Sequence, residues 1–245
     1  MKKKVYITNS IFLNEGFNDV NLRDKNIDFI GKMCITTIGK LLESAGDIEK
    51  NVPVFWGSAY SCLNSLHEFN KVCEKSGALM VNPSLFPNTV LNSPACRAGI
   101  HFNITQPIYN ISNGSSSGLD ALGLAYMYIA NGEIDAAIVC AAEEESEIAQ
   151  KIEGKAFIQS CAAIYLSAQK SDLEILEYRK DYAKIMLLNE EQPIYGSINA
   201  LYQIDCLLKN YMRESQFDIE CIIDSYKTTI RLRCYGGKND RNIES

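Results

Sequence analysis

The sequence predicts an α/β fold of one compact domain, and three observations carry that expectation. Short apolar runs alternate with stretches of ten or more residues at helical spacing, the pattern of a mainly parallel sheet flanked by helices. The chain has 245 residues and is 47% apolar, enough for one sizeable core. It shows no internal repeat and no low-complexity linker that would divide it.

The elements follow in order. Lys4–Leu13 reads as a first strand, and Phe29–Ala45 as a helix with Ile30, Met33, Cys34, Ile38 and Leu41 on one stripe. "VPVFWGSAY" gives a short strand ending at Gly57. Ser61–Lys75 has helical spacing at Leu63, Leu66, Phe69, Val72 and Cys73. "NPSLFPNTVLNSPACRAGIHF" begins as a proline-broken loop and becomes a helix. Then come strand Ile108–Ile111, helix Ser115–Ala130, strand Ile134–Ala142 and strand Phe157–Ala168. Asn131-Gly132 ends the central helix with residues that tolerate positive φ. "SDLEILEYRKDYAKIMLL" alternates like one or two exposed strands, and 194–212 is helical. "IECIIDSYKTTIRLRCYGG" supplies two closing strands, and "KNDRNIES" reads as a frayed end.

Composition narrows the function classes. A net charge of −6 and a pI near 5.1 argue against nucleic acid or an anionic membrane as the main partner. The basic start "MKKK" leads into a run broken by Thr8, Asn9 and Ser10, which reads as a strand and not as a signal peptide. No stretch of about 18 apolar residues is present to span a membrane, so a cytoplasmic protein is expected. The nine cysteines include no C-x-x-C pair and no nearby histidine pair. Most lie in apolar runs such as "AAIVCAAEE", where cysteine acts as a small hydrophobe, so neither metal nor cofactor is implied.

The turn "NISNGSSSGLDALG" holds the candidate chemistry, because acyl-transfer enzymes often carry a nucleophile on a strand-to-helix turn. Gly114-Ser115-Ser116-Ser117-Gly118 matches G-x-S-x-G, which would make Ser116 a nucleophile. That elbow needs a histidine later in the chain, and the two histidines, His67 and His101, both precede it. The plain alternative is that the three serines cap the helix and permit a tight turn.

Taken together, "NPSLFPNTVLNSPACRAGIHFNITQPIYNISNGSSSGLDALGLAYMYIANGEIDAAIVCAAEE" resembles the N-terminal half of the β-ketoacyl synthase family, of thiolase-like fold. Asn82-Pro83 to Asn92 fits the family's Pro-Ser/Asn-x-x-Asn segment, and Gly132-Glu133-Ile134-Asp135 through Glu143 fits its Gly-Glu/Asp-x-Asp strand. "EGKAFIQSCAAIYLSAQK" is similar to the strand that follows. The resemblance implies a complete N-terminal half over residues 1–170 and an abbreviated C-terminal half over 171–245. It sets Ser115 where the family has its acyl-accepting cysteine, within an acyl-pocket or oxyanion turn that includes Gly114, Ser116 and Gly118. It makes Glu143 a structural support of that turn. The family's catalytic histidine pair has no counterpart, since "PIYGSINALYQIDCLLKNYM" lacks histidine, and Gly236-Gly237 with Asn239 faintly match its closing loop.

A serine hydroxyl titrates several units above a thiol, and a helix N-terminus supplies an oxyanion hole but no base. The resemblance therefore implies a degenerate, chain-length-factor-like subunit paired with an active synthase in fatty-acid or polyketide-type biosynthesis. The alternatives are an acyltransferase using Ser115, or a non-catalytic acyl-binding protein. Family likeness also implies a homodimer, or a heterodimer with a full-length ketosynthase, built on the strand at Ile108–Ile111, with an acyl carrier protein as a possible further partner. Asp120 is expected to face a neighbouring polar group, and Glu144 and Glu145 to be solvated or to cap a following helix.

Overall fold

The computed structural model describes residues 2–17, 25–154, 158–182, 196–210, 214–223 and 226–235. The expected frayed tail with Gly236, Gly237 and Asn239 lies outside them. So do Phe157 at the expected start of one strand, residues 194 and 212 at the expected ends of the last helix, and the part of "SDLEILEYRKDYAKIMLL" beyond residue 182.

The strands are β1 (Val5–Leu13), β2 (Val54–Gly57), β3 (Ile108–Ile111), β4 (Ala136–Glu143), β5 (Ser160–Ser167), β6 (Leu173–Tyr182), β7 (Glu214–Ile223) and β8 (Tyr226–Tyr235). The helices are α1 (Phe29–Ser44), α2 (Leu63–Ser76), α3 (Ser93–Phe102), α4 (Ser117–Asn131), α5 (Glu147–Glu153) and α6 (Asn199–Asn210). Short 3-10 turns at Ala78–Met80, Pro83–Thr89 and Gly196–Ile198 join them. The strands form one sheet in the order β3-β2-β4-β5-β1-β6-β8-β7.

The expectation of a mainly parallel sheet is corrected by this order. Only β2 runs parallel to its neighbours, β3 and β4, whereas β4-β5, β5-β1, β1-β6, β6-β8 and β8-β7 are antiparallel. Parallel pairing is confined to β2, whose links to β3 and β4 run through helices. It fails for β4 and β5 despite the short α5 between them, and for β7 and β8, which follow one another closely enough to turn back.

Alternation along the strands sends buried residues to both faces. One face, with α4 and α6, buries Phe55, Leu119, Leu122, Ile129, Val139, Ile164, Leu201 and Ile230. The other, with α1 and α3, buries Met33, Ile38, Leu41, Trp56, Ile138, Cys140 and Tyr165. β1 meets β6 only over Val5–Ile7 against Leu173–Ile175, and α4 touches β2 and β4 on one side of that seam and β6 and β8 on the other. The sheet thus bends around α4. That helix can lie so deep because it is built from small and apolar residues, "SGLDALGLAYMYIAN".

The three cysteines Cys34, Cys140 and Cys161 meet in the α1 face, with Sγ–Sγ separations of 3.8 and 3.7 Å. These are contacts between free thiols, and burial pushes each thiol up. They behave as core atoms.

Candidate functional site

The amino end of α4 lies at the carboxyl ends of β2 and β4. Gly114 turns the chain at φ 55°, and α4 starts at Ser117, two residues later than expected. Ser117 Oγ accepts from the Asn113 N–H at 2.8 Å and donates to the Gly114 carbonyl at 2.7 Å, which closes the turn on itself. Two glycines let the helix end approach so closely. A Cβ on Gly57 would stand 2.5 Å from the Ser117 carbonyl oxygen, and one on Gly118 would stand 2.3 Å from that of Ser197.

Asp120, in the first turn of α4, gathers the polar groups around it. Its carboxylate accepts from Asn113 Nδ2 (2.6 Å), Ser116 Oγ (2.7 Å), Tyr178 OH (2.9 Å), Lys180 Nζ (2.9 Å) and Thr228 Oγ1 (3.2 Å). Burial alone would raise its pKa. The donors Asn113, Lys180, Ser116 and Tyr178 outweigh burial and hold the carboxyl below the usual aspartate range. Asp120 faces polar groups as the sequence suggested, but their identity was not legible there. Tyr178 and Lys180 arrive from β6 and Thr228 from β8, more than fifty residues away.

The structure places the expected site residues as follows. Ser115 is half-buried, and its Oγ lies 3.7 Å from the Cys221 Sγ of β7. Ser116 is buried and its hydroxyl is spent on Asp120 and the Asn113 carbonyl, so it points away from any nucleophilic role. Glu143 is buried at the end of β4. It accepts from Ser58 Oγ (3.2 Å), Tyr60 N–H (3.2 Å), Ala59 N–H and Ser197 Oγ. Glu143 therefore braces the loop after β2 and the turn before α6, and no bond joins it to Ser115. Burial pushes its carboxyl up to about 7, with the four donors pulling the other way.

The histidines lie elsewhere. His67 is half-buried on α2. His101 is exposed in the last turn of α3, which precedes β3, while Ser115 follows it. The expectation for Glu144 and Glu145 is partly corrected. Ser146 caps α5 with its own hydroxyl, and Glu144 is half-buried, its carboxyl pushed up to about 7 by burial. No group of histidine, cysteine, aspartate or glutamate among the described residues could hold a metal ion. None of their helices is long and apolar enough to cross a membrane.

A bent sheet around a buried helix, with a tight small-residue turn at the helix's amino end, defines a thiolase-like chain. Residues 2–156 match the model of the β-ketoacyl synthase N-terminal domain, and the chain belongs to that family. No curated protein matches it. Among solved structures it is similar to the ishigamide ketosynthase/chain length factor, at 14% identity, a TM-score of 0.71, and coverage of 86% of this chain and 82% of that one. It is also similar to the AntDE:AntF complex, a type II polyketide synthase acyl carrier protein with its ketosynthase bound to the hexaketide. There the identity is 11%, the TM-score 0.78, and the coverage 95% and 100%. A third likeness is to the ketosynthase ApeO in complex with its chain length factor ApeC from Xenorhabdus doucetiae, at 15% identity, a TM-score of 0.60, and coverage of 82% and 76%. At these identities the likeness concerns the fold.

Proposed function

We propose that this chain is a catalytically degenerate ketosynthase-like subunit that acts as a chain length factor does, by pairing with a full-length ketosynthase in polyketide or fatty-acid-type biosynthesis. The carrying observation is the nucleophile position. The family resemblance sets Ser115 there, its hydroxyl lies 3.7 Å from the Cys221 Sγ, and no described residue offers it a base. In this reading, residues 1–170 supply the family's N-terminal half and 171–245 a reduced C-terminal half. The partner contributes the cysteine and histidines, and an acyl carrier protein docks on the assembly.

The surface supports a partner. Among the described strands β3 is an edge strand that pairs with β2 alone, and its sequence Ile-Tyr-Asn-Ile carries no charge. The opposite edge, β7, exposes Glu214, Asp218 and Glu220, which discourage a further strand. α3, which packs on β3, exposes Ile100 (74% exposed), and the segment leading into it exposes Phe86, Val90 and Leu91. A bare edge with apolar flanks is a surface that another chain covers.

The test has two arms. The intact protein and Ser115→Ala are incubated with a set of acyl thioesters and weighed by mass spectrometry, and no adduct is expected on either. An adduct on the parent that is absent from Ser115→Ala would make this chain an acyltransferase. In parallel, mixing with a full-length ketosynthase is expected to give a one-to-one complex on gel filtration, while a stable homodimer indifferent to the ketosynthase would sink the proposal.

A further inference from the structure

One buried carboxyl group joins parts of the chain that lie far apart in sequence. Glu143 takes two donors on each oxygen: Ala59 N–H and Ser197 Oγ on one, Tyr60 N–H and Ser58 Oγ on the other. The loop it grips is strained, because Ser61 sits at φ 36°, a conformation that side chains rarely adopt and that persists only where the surroundings impose it. Ser58 Oγ also accepts the Ser61 N–H at 2.7 Å. Beyond that residue, Ser61 Oγ donates to the Leu91 carbonyl at 2.9 Å and Cys62 Sγ to that of Thr89 at 3.2 Å. An unbroken path of contacts thus runs from the turn before α6, through Glu143 and the strained loop, to Thr89–Leu91, where Val90 and Leu91 expose apolar side chains.

We propose that Glu143 and the Ser58–Cys62 loop form a proton-sensitive clamp that sets how firmly the segment Thr89–Leu91 is held to the body. The titratable neighbours among the described residues are few. The loop brings Tyr60, whose hydroxyl donates to Glu153 of α5, and β4 continues into Glu144. Of the described residues in the turn before α6 only Ser197 brings a hydroxyl to it, and β5 sets Ser160 opposite Glu143. No lysine, arginine or histidine among the described residues donates to Glu143. Burial pushes its carboxyl from the ordinary 4.5 up to about 7. A closed clamp that holds its proton more tightly than an open, hydrated one is favoured at acid pH and loosens as pH rises through about 7. The two serines suit both states, since a hydroxyl can donate to the anion or turn to accept from the acid.

Any effect on assembly rests on the partner reading above, but the clamp itself does not. It is tested on the isolated chain by amide hydrogen exchange between pH 5.5 and 8.5, corrected for intrinsic rates. The Ala59 and Tyr60 amides and those of 89–91 are expected to exchange about tenfold faster at pH 8 than at pH 6. Glu143→Gln should remove the step and leave these amides slow throughout, while Glu144→Gln should keep it. Should Glu143→Gln not fold, Ser197→Ala serves instead, because loss of a donor to the anion moves the midpoint upward. A flat profile in the parent, a step that survives Glu143→Gln, loss of the step in Glu144→Gln or an unmoved midpoint in Ser197→Ala each overturns the clamp. A ketosynthase takes no part in this readout, so failure of the clamp and failure of the partner reading are told apart.

Discussion

Asp120 shows what a single residue does at the head of α4. Its five donors come from the turn, from β6 and from β8, so one carboxylate fastens the helix to the C-terminal strands. We expect Asp120→Ala to lower unfolding free energy by about 2–3 kcal/mol, read from the urea midpoint. The figure stays at the lower end because the Lys180 side chain is 35% exposed and can turn to water once its partner is gone. Gly123 is the companion case. A Cβ there would meet the Tyr178 ring at 2.1 Å, so Gly123→Ala must push the ring off the helix and its hydroxyl off Asp120. An overpacking loss of about 1–3 kcal/mol is expected, not additive with that of Asp120→Ala, because both act through Tyr178. The family resemblance gave Ser115 the nucleophile position, Ser116 a place in the same turn and Glu143 a supporting role. Their partners were not legible, because Cys221 reaches Ser115, and Tyr178 and Lys180 reach the Asp120 that holds Ser116, from strands in the C-terminal third.

Among the elements, those whose signal was local matched the sequence closely. β3 was legible to the residue at both ends, and α1, α4, β1 and β4 to within two, because apolar periodicity and a glycine stop at Gly132 mark them without reference to anything distant. Sheet direction was not legible. It depends on which strands become neighbours, and β1 sits between β5 and β6, both made about 150 residues later. The region α3–β3 has the clearest consequence at this scale. Ile100 is exposed on α3, so Ile100→Asp should change the melting temperature of the isolated chain by no more than about 2 °C. The same change should weaken binding to a full-length ketosynthase at least about tenfold, because a charge would then be buried in an apolar contact. Equal binding by the variant would place the partner surface elsewhere.

The whole molecule carries opposing responses to pH. Glu143 and Glu144 are pushed up to about 7 from the ordinary 4.5, so their contribution is complete below the unfolded value and is lost as pH rises through about 7. Asp120 is held below its ordinary 3.8, so its contribution is present above that value and is lost as pH falls through the lower one. Urea midpoints are therefore expected to be highest at about pH 4–4.5 and to fall on both sides, and Glu143→Gln should flatten the alkaline limb. A midpoint that climbs steadily from pH 6 to 8 would contradict the burial of these two glutamates.

The central place of β1 also fixes an order of events. β1 finds no strand neighbour until β5 and then β6 are made, so the middle of the sheet cannot close until the segment between them has been synthesised. Until then β2, β3, β4 and α4, whose strand pairings span shorter stretches of chain, are the parts able to assemble, with Val5 to Leu13 left waiting as an unpaired apolar strand. Such a topology makes for slow folding.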